Sequence, residues 1–147
     1  MANIKEELVK LLNQGVELEH AARIQYLTHA ELVKGLNAEK IIERLTEIAG
    51  DEKKHEDIFR NLIGDYLGGE PSMGMAETHR ATDTQIILET NLRDEKHAID
   101  VYKQIYQKVR ENKDSLQYEF EKLEHQIRHI ILDEQEHVAE LSLLLEE

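Results

Sequence analysis

The chain has no cysteine and no tryptophan, a single proline, seven glycines and only 5% aromatic residues. Without cysteine there is no disulfide framework, zinc–thiolate site, iron–sulfur cluster or thiol nucleophile. The same absence fits a reducing cytoplasm, which is the expected location. One proline and seven glycines are too few turn-formers for an all-β chain of this size. No apolar run approaches the ~20 residues that cross a bilayer, and the opening Met1-Ala2-Asn3-Ile4-Lys5-Glu6-Glu7 is too polar for a signal peptide. Positive charge is also scarce. Lys and Arg total 18 against 31 Asp and Glu, leaving a net charge of −13 that repels phosphate backbones but suits cations. Neither nucleic acid nor a membrane is expected as a partner.

What is present is a chain of 147 residues, 40% hydrophobic and 33% charged, enough for one globular domain over residues 1–147. Three breaks divide it: Gly35-Leu36-Asn37, the stretch from Gly68 to Ala81 with Pro71, and Asn112-Lys113-Asp114. Start signals accompany them. Asn3 with Glu6, Asn37 alone, Thr82 with Gln85, and Asp114 with Gln117 are the expected caps. The reading is four helices over 4–34, 38–67, 83–111 and 115–146, with a crossover over 68–82.

Each helix carries an apolar stripe at the 3.6-residue period. Leu8, Leu11, Gly15, Ala22 and Tyr26 mark the first, and Ile41, Leu45, Ile48, Phe59 and Ile63 the second. Leu88, Leu92, Ile99, Tyr102 and Ile105 mark the third, and Leu123, Ile127, Ile130, Ile131 and Leu141 the fourth. Four such stripes make an all-α four-helix bundle. The short first and third connections give two antiparallel hairpins. The crossover of about 15 residues can run the ~45 Å length of a helix, so it returns along the bundle. A second apolar strip on the first helix, Val9, Val16, Ile24 and Leu27, is not needed by the bundle and is expected to be a dimer surface.

Six polar residues interrupt the stripes: Glu19, Glu52, His55, Glu95, Glu134 and His137. Carboxylates are almost never buried without compensation. Counted from the turns, Glu19 and Glu52 both lie ~21–23 Å up their hairpin, and Glu95 and Glu134 stand at a similar level. Asp51-Glu52-x-x-His55 recurs as Asp133-Glu134-x-x-His137, and Glu19 precedes Tyr26 by the same seven residues as Glu95 precedes Tyr102. Residues three apart share a helix face, so each Glu–His pair can offer an oxygen and a nitrogen to one ion. Four carboxylates and two neutral imidazoles carry −4, which two divalent ions balance. That mixed donor set suits iron, with manganese possible.

The constellation resembles the ferritin-like di-iron carboxylate superfamily, in its bacterioferritin and rubrerythrin branch, over residues 4–146. The resemblance rests on Glu19 through Tyr26, Asp51 through His55, Glu95 through Tyr102 and Asp133 through His137. It implies that Glu52 and Glu134 bridge two metals, that Glu19 and Glu95 are terminal ligands, and that His55 and His137 each hold one metal. It further implies that Asp51 and Asp133 orient the histidine of the opposite half, with Tyr26 and Tyr102 near the site. The departures are informative. Lys53 stands where bacterioferritins carry a haem-ligating Met, so no haem is expected; only ten residues follow His137, so the fifth helix of cage-forming ferritins is not expected; Ala98 stands where rubrerythrins carry an extra Glu; and without cysteine no rubredoxin domain is expected.

A lone Glu-x-x-His means little in so acidic a chain. Of the three present, Glu17-x-x-His20 points off the stripe and is read as chance. His29 and Asn91 are read as hydrogen-bonded interior residues and Glu56 as an edge residue. His125 and His129 are read as a solvated face, and His79 is given no role. The expected activity is oxidation of Fe²⁺ by O₂ or peroxide at a two-iron site, in a homodimer or larger homo-oligomer. The alternatives are a rubrerythrin-like peroxide reductase or di-iron oxygenase on an organic substrate, and a non-catalytic metal-binding bundle.

Overall fold

The computed structural model describes residues 3–146, and among these the regular structure is entirely helical. Four long helices dominate: α1 (Ile4–Ala30), α2 (Ala38–Asn61), α3 (Thr84–Glu111) and α4 (Phe120–Glu146). α1 packs along α2 and α3 along α4, and α1 lies beside α3. The crossover runs from Leu67 to Asp83 without regular structure. The expected bundle, with two hairpins and one long return, is therefore the fold.

The helix ends differ from the sequence reading, each for a local reason. α1 stops at Ala30, four residues early. Glu31 and Leu32 donate to Thr28 O and His29 O in a tightened last turn, and Lys34 exchanges two bonds with Thr84 Oγ1 at 3.0 Å each. α2 ends at Asn61 and widens into a π-turn over Leu62–Tyr66, closed by Leu67 N donating to Leu62 O. α4 begins at Phe120 rather than 115. A 3₁₀ turn at Lys113–Ser115 leads to Leu116, which is fully buried and plugs the end of the core.

Asn3 caps α1, accepting from Lys5 N–H at 2.8 Å. The other expected caps do not form. Asn37 has φ −102° and ψ 18°, outside the extended region that aims a cap side chain, and makes no cap bond. Asp83, not Thr82, caps α3 by accepting from Ile86 N–H, while Gln85 turns to Glu89. Asp114 lies in the 3₁₀ turn instead of at a helix start.

The core is split in two. One apolar cluster joins Leu8, Leu12, Phe59, Tyr102, Leu123 and Ile127; the other joins Tyr26, Ile41, Leu45, Ile48, Ile87 and Leu141. On α1 Leu8, Leu12 and Val16 are fully buried, and Leu11 is only half-buried. The strip expected to be a dimer surface is mostly occupied. Val16 is in the core, Val9 lies against Gly69 of the crossover, and Ile24 lines a cavity beneath Thr78–Thr82. Leu27 alone of the four is exposed. The crossover is tied to α1 by Asn13 with Glu70 and Ser72, by Ser72 Oγ donating to Glu17 at 2.6 Å, and by Ala76 N–H to Glu17 O. The offset Glu17 and His20 pair thus faces the crossover, with His20 Nδ1 3.4 Å from Gly74 O.

Two predictions follow from packing and capping. A Cβ at Gly15 would meet the Phe59 ring at 2.9 Å, whereas one at Gly50 meets nothing. Gly15→Ala is expected to destabilise by about 1–2 kcal/mol through overpacking, and Gly50→Ala to stabilise by about 0.5–1 kcal/mol through helix propensity, both read by urea denaturation. Asp83→Ala is expected to cost about 1 kcal/mol and Thr82→Ala close to nothing; equal losses would show that the cap is misassigned.

Candidate metal centre

The gap between the two apolar clusters holds all six polar residues that interrupt the stripes. Glu19 comes from α1, Glu52 and His55 from α2, Glu95 from α3, and Glu134 and His137 from α4. None is more than 3% exposed. They reach one level because both hairpins place their carboxylates at the same height above the turns, and the i, i+3 pairs turn Glu and His to the same side.

His55 Nδ1 lies 3.2 Å from Glu134 Oε1, 3.4 Å from Glu52 Oε1 and 3.5 Å from Glu19 Oε1. His137 Nδ1 lies 3.1 Å from Glu134 Oε1 and 3.5 Å from both Glu52 Oε1 and Glu95 Oε1. Two donor sets emerge, Glu19–Glu52–His55–Glu134 and Glu52–Glu95–Glu134–His137, each with its ligand atoms within 4.8 Å of one another. Glu52 and Glu134 belong to both.

The surrounding bonds are crosswise. Asp133 Oδ2 holds His55 Nε2 and Asp51 Oδ2 holds His137 Nε2, both at 2.9 Å. A carboxylate can only accept here, so each imidazole donates from Nε2 and presents Nδ1 to the centre. Tyr26 Oη donates to Glu95 Oε1 and Tyr102 Oη to Glu19 Oε1, both at 2.7 Å. Phe59 packs edge-on to Tyr102 with ring centroids 5.2 Å apart.

Seven buried atoms of the cluster have no hydrogen-bond partner: Glu19 Oε2, Glu52 Oε1, His55 Nδ1, Glu95 Oε2, both oxygens of Glu134 and His137 Nδ1. Each Nδ1 faces several oxygens at once without a well-aligned bond to any. Buried polar atoms are normally paired, and oxygens and imidazole nitrogens left without partners in one small volume are the donor set of a cation site. The residues present therefore fit a pair of metal ions.

Protonation in the metal-free chain reflects the same crowding. Burial, then the Glu134 charge, pushes Glu19 up to about 7 and Glu95 up to about 8. Glu52 is also raised, by burial and by Glu134, Glu19 and Glu95. Burial would lower both histidines, but the close carboxylates outweigh it and hold His55 and His137 at about 12. Glu134 is the exception: burial opposes its ionisation, yet His137 and His55 hold it well below the usual carboxylate range. Tyr26 and Tyr102 are raised by burial and by neighbouring carboxylates, so both remain donors.

The remaining polar residues resolve into supports. His29 is buried, with Nε2 3.0 Å from His79 O and Nδ1 accepting from Asn91 Nδ2; burial lowers its pKa. Asn91 also donates to Ile87 O and accepts from Gln25. Glu56 pairs with Arg60 at 2.8 Å. His125 and His129 are exposed on α4, with ring centroids 6.2 Å apart. Lys53 is exposed and bonded to Asp57. The sequence reading missed Gln25 and Asp94 and gave His79 no role, yet the three are bonded together beside the centre. One signal was available: the Asp-Glu pair that precedes each histidine-bearing motif occurs a third time as Asp94-Glu95.

No helix among the described residues is long and apolar enough to cross a membrane. Over 99 residues the chain is 33% identical to the bacterial ferritin of Neisseria meningitidis serogroup B, a match covering 67% of this chain and 63% of that protein. A ferritin-like, diiron-carboxylate protein of Bacillus anthracis str. Ames superposes with a TM-score of 0.88 over 99% of both chains at 24% identity. A dodecameric thioferritin, the bacterioferritin-related protein of Bacteroides fragilis, superposes with a TM-score of 0.84 at 22% identity, over 97% of this chain and 86% of that one. At these identities the two structural likenesses are of fold. The ferritin-like domain description matches residues 9–147, and with the bundle and its central carboxylates in view the chain belongs to the ferritin-like domain family.

Proposed function

We propose that the centre binds two divalent ions, iron in the working protein, and oxidises Fe²⁺ with O₂ or peroxide for iron handling or oxidative-stress defence. The observation that carries this reading is the convergence of seven unpartnered buried donor atoms. Glu52 and Glu134, common to both donor sets, would be the ligands that the two ions share. Glu19 and His55 complete one position, Glu95 and His137 the other. Asp51 and Asp133 fix the tautomer of the ligand histidines, and Tyr26 and Tyr102 steady the terminal carboxylates. Lys53, turned to Asp57, offers no ligand for haem, and none is proposed. The Neisseria relative's name supports iron handling, and the dodecameric Bacteroides relative supports a homo-oligomer. The curated match spans under two thirds of that relative, so the activity stands on the centre's own chemistry.

Each Fe²⁺ gives up one electron, so a pair supplies the two that reduce O₂ and two protons to hydrogen peroxide, or peroxide and two protons to water. When bound, the metal pair supplies the redox change. The chain supplies a buried, preorganised set of carboxylates and imidazoles that would hold the pair. The cavity reaching these residues is about 60 Å³. That admits O₂, peroxide and a metal ion but not a typical organic substrate, whose pockets run to ~300 Å³ or more. It therefore favours iron and small oxidants over an organic oxygenase. In the metal-free state protons take the place of cations: both imidazoles are doubly protonated, and Glu19 and Glu95 retain protons near neutrality. Metal binding displaces them.

Two outcomes test the reading. In stopped-flow measurements, Glu52→Ala is expected to lose at least about 100-fold in the rate of Fe²⁺ oxidation, the upper scale for disturbing even the outer partners of metal ligands. Equal rates in variant and wild type would refute the assigned residues. The second outcome concerns pH. Glu19, Glu95, His55 and His137 all have folded pKa values above their unfolded values near 4.5 and 6.5. Their contribution is complete below the unfolded values and is lost as pH rises through the folded ones. Glu134, shifted the opposite way, loses its contribution only as pH falls below about 4.5. Chelator-treated protein is thus expected to show a falling Tm from about pH 6 to 9, and Co²⁺-loaded protein a flat or rising one. A metal-free Tm that climbs over this range would contradict the assignment.

A further inference from the structure

The cavity between α1, α3 and the crossover has an inner wall that includes Glu52, Glu95 and Glu134, and an outer rim that includes Glu77, His79, Asp94 and His97. Four further surface cavities touch none of the six central residues. At its floor Glu95 is 3% exposed with Oε2 unpartnered, and both oxygens of the fully buried Glu134 are unpartnered. At its mouth His79 and Asp94 have side chains 37% and 28% exposed.

His79 is held in an unusual way. Its backbone N–H donates to Gln25 Oε1 at 2.6 Å, and its carbonyl lies 3.0 Å from His29 Nε2. Both partners are buried, so the crossover backbone is clamped while the ring stays at the surface. The ring is oriented as well. Nδ1 meets Asp94 Oδ2 at 2.9 Å, and since a carboxylate accepts, Nδ1 donates and Nε2 is the nitrogen turned away from Asp94. Nε2 has no protein partner among the described residues. Gln25 Nε2 bonds the same Asp94 oxygen at 2.8 Å and Asn91 Oδ1 at 2.9 Å, so ring, carboxylate and backbone share one support. An imidazole with one nitrogen fixed by an aspartate and the other free is the arrangement of a metal-ligating histidine. His55 and His137 show the same arrangement with the two nitrogens exchanged.

We propose that this cavity is the entrance by which divalent cations reach the buried centre, and that His79, oriented by Asp94, is the ligand that receives them at its mouth. The proposal rests on the metal-centre reading above. One imidazole and one or two carboxylates bind a divalent ion weakly, which suits a site that must release it onward to four ligands; passage requires binding weak enough to leave. Arg93, two-thirds exposed, has Nε 3.6 Å from Asp94 Oδ1 and is the cation that an incoming ion would displace.

The test uses the full chain with Co²⁺ alone as probe, following its visible absorbance by stopped flow and at equilibrium. His79→Ala keeps both backbone bonds of the clamp, and Ala22→Leu narrows the cavity from its wall. Both variants are expected to reach the wild-type Co²⁺ capacity and final spectrum but to load about tenfold more slowly, the scale by which a focusing cleft raises on-rates. A wild-type loading rate in either variant, or a reduced capacity in either, overturns the entrance. A wild-type chain whose Co²⁺ spectrum is unchanged by Glu52→Ala overturns the centre itself, which the variant loading rates do not probe.

Discussion

Four carboxylates meet in the middle of a bundle that is otherwise apolar, and the rest of the structure answers to that meeting. Removing a single ion from water costs several kcal/mol even after relaxation, and Glu19, Glu52, Glu95 and Glu134 also repel one another. Each has specific help. Two tyrosines donate to the terminal carboxylates, two imidazoles face the shared ones, and two half-buried aspartates hold the imidazoles from outside. The apolar clusters sit at either end of this charged middle. Even so, seven donor atoms of the cluster are left without protein partners.

The two hairpins are near-copies in their chemistry. α1–α2 contributes Glu, then Asp-Glu-x-x-His; α3–α4 contributes the same series, and the aspartate of each half serves the histidine of the other. This exchange ties α2 to α4 across the bundle, where direct packing is sparse. The crossover breaks the symmetry. It lies along α1, stands against Val9 and Ile24, and brings His79 over the seam between α1 and α3. The centre is thus enclosed alike by both hairpins, while the crossover stands over the cavity that leads to it.

The family and the fold set the broad class of the protein, and the centre narrows it. A mixed carboxylate and imidazole donor set beside a small cavity favours iron and a small oxidant. The protonation of Glu19 and Glu95 is strongly disturbed in the metal-free chain, since both are buried among like charges.

The six central residues were legible in the sequence because helical periodicity is local. A Glu or His in an apolar stripe must point where the stripe points, and equal distances from short turns put such residues at one height. The bundle and its long return followed from the same periodicity and from the crossover's length. Helix ends were not legible, because Asp83 rather than Thr82 caps α3, and Leu116 delays α4, for reasons of backbone angle and of which side chain plugs the core. The fate of Val9 and Ile24 was hidden too, since what lies against them is some fifty residues away along a path without regular structure. The Gln25, Asn91, Asp94 and His79 network draws on three segments with no shared period. Sequence alone determined which faces must be buried and which charges interrupt them; only the tertiary structure decided what covers those faces, because contacts between distant segments depend on the path of the chain and not on its local repeat.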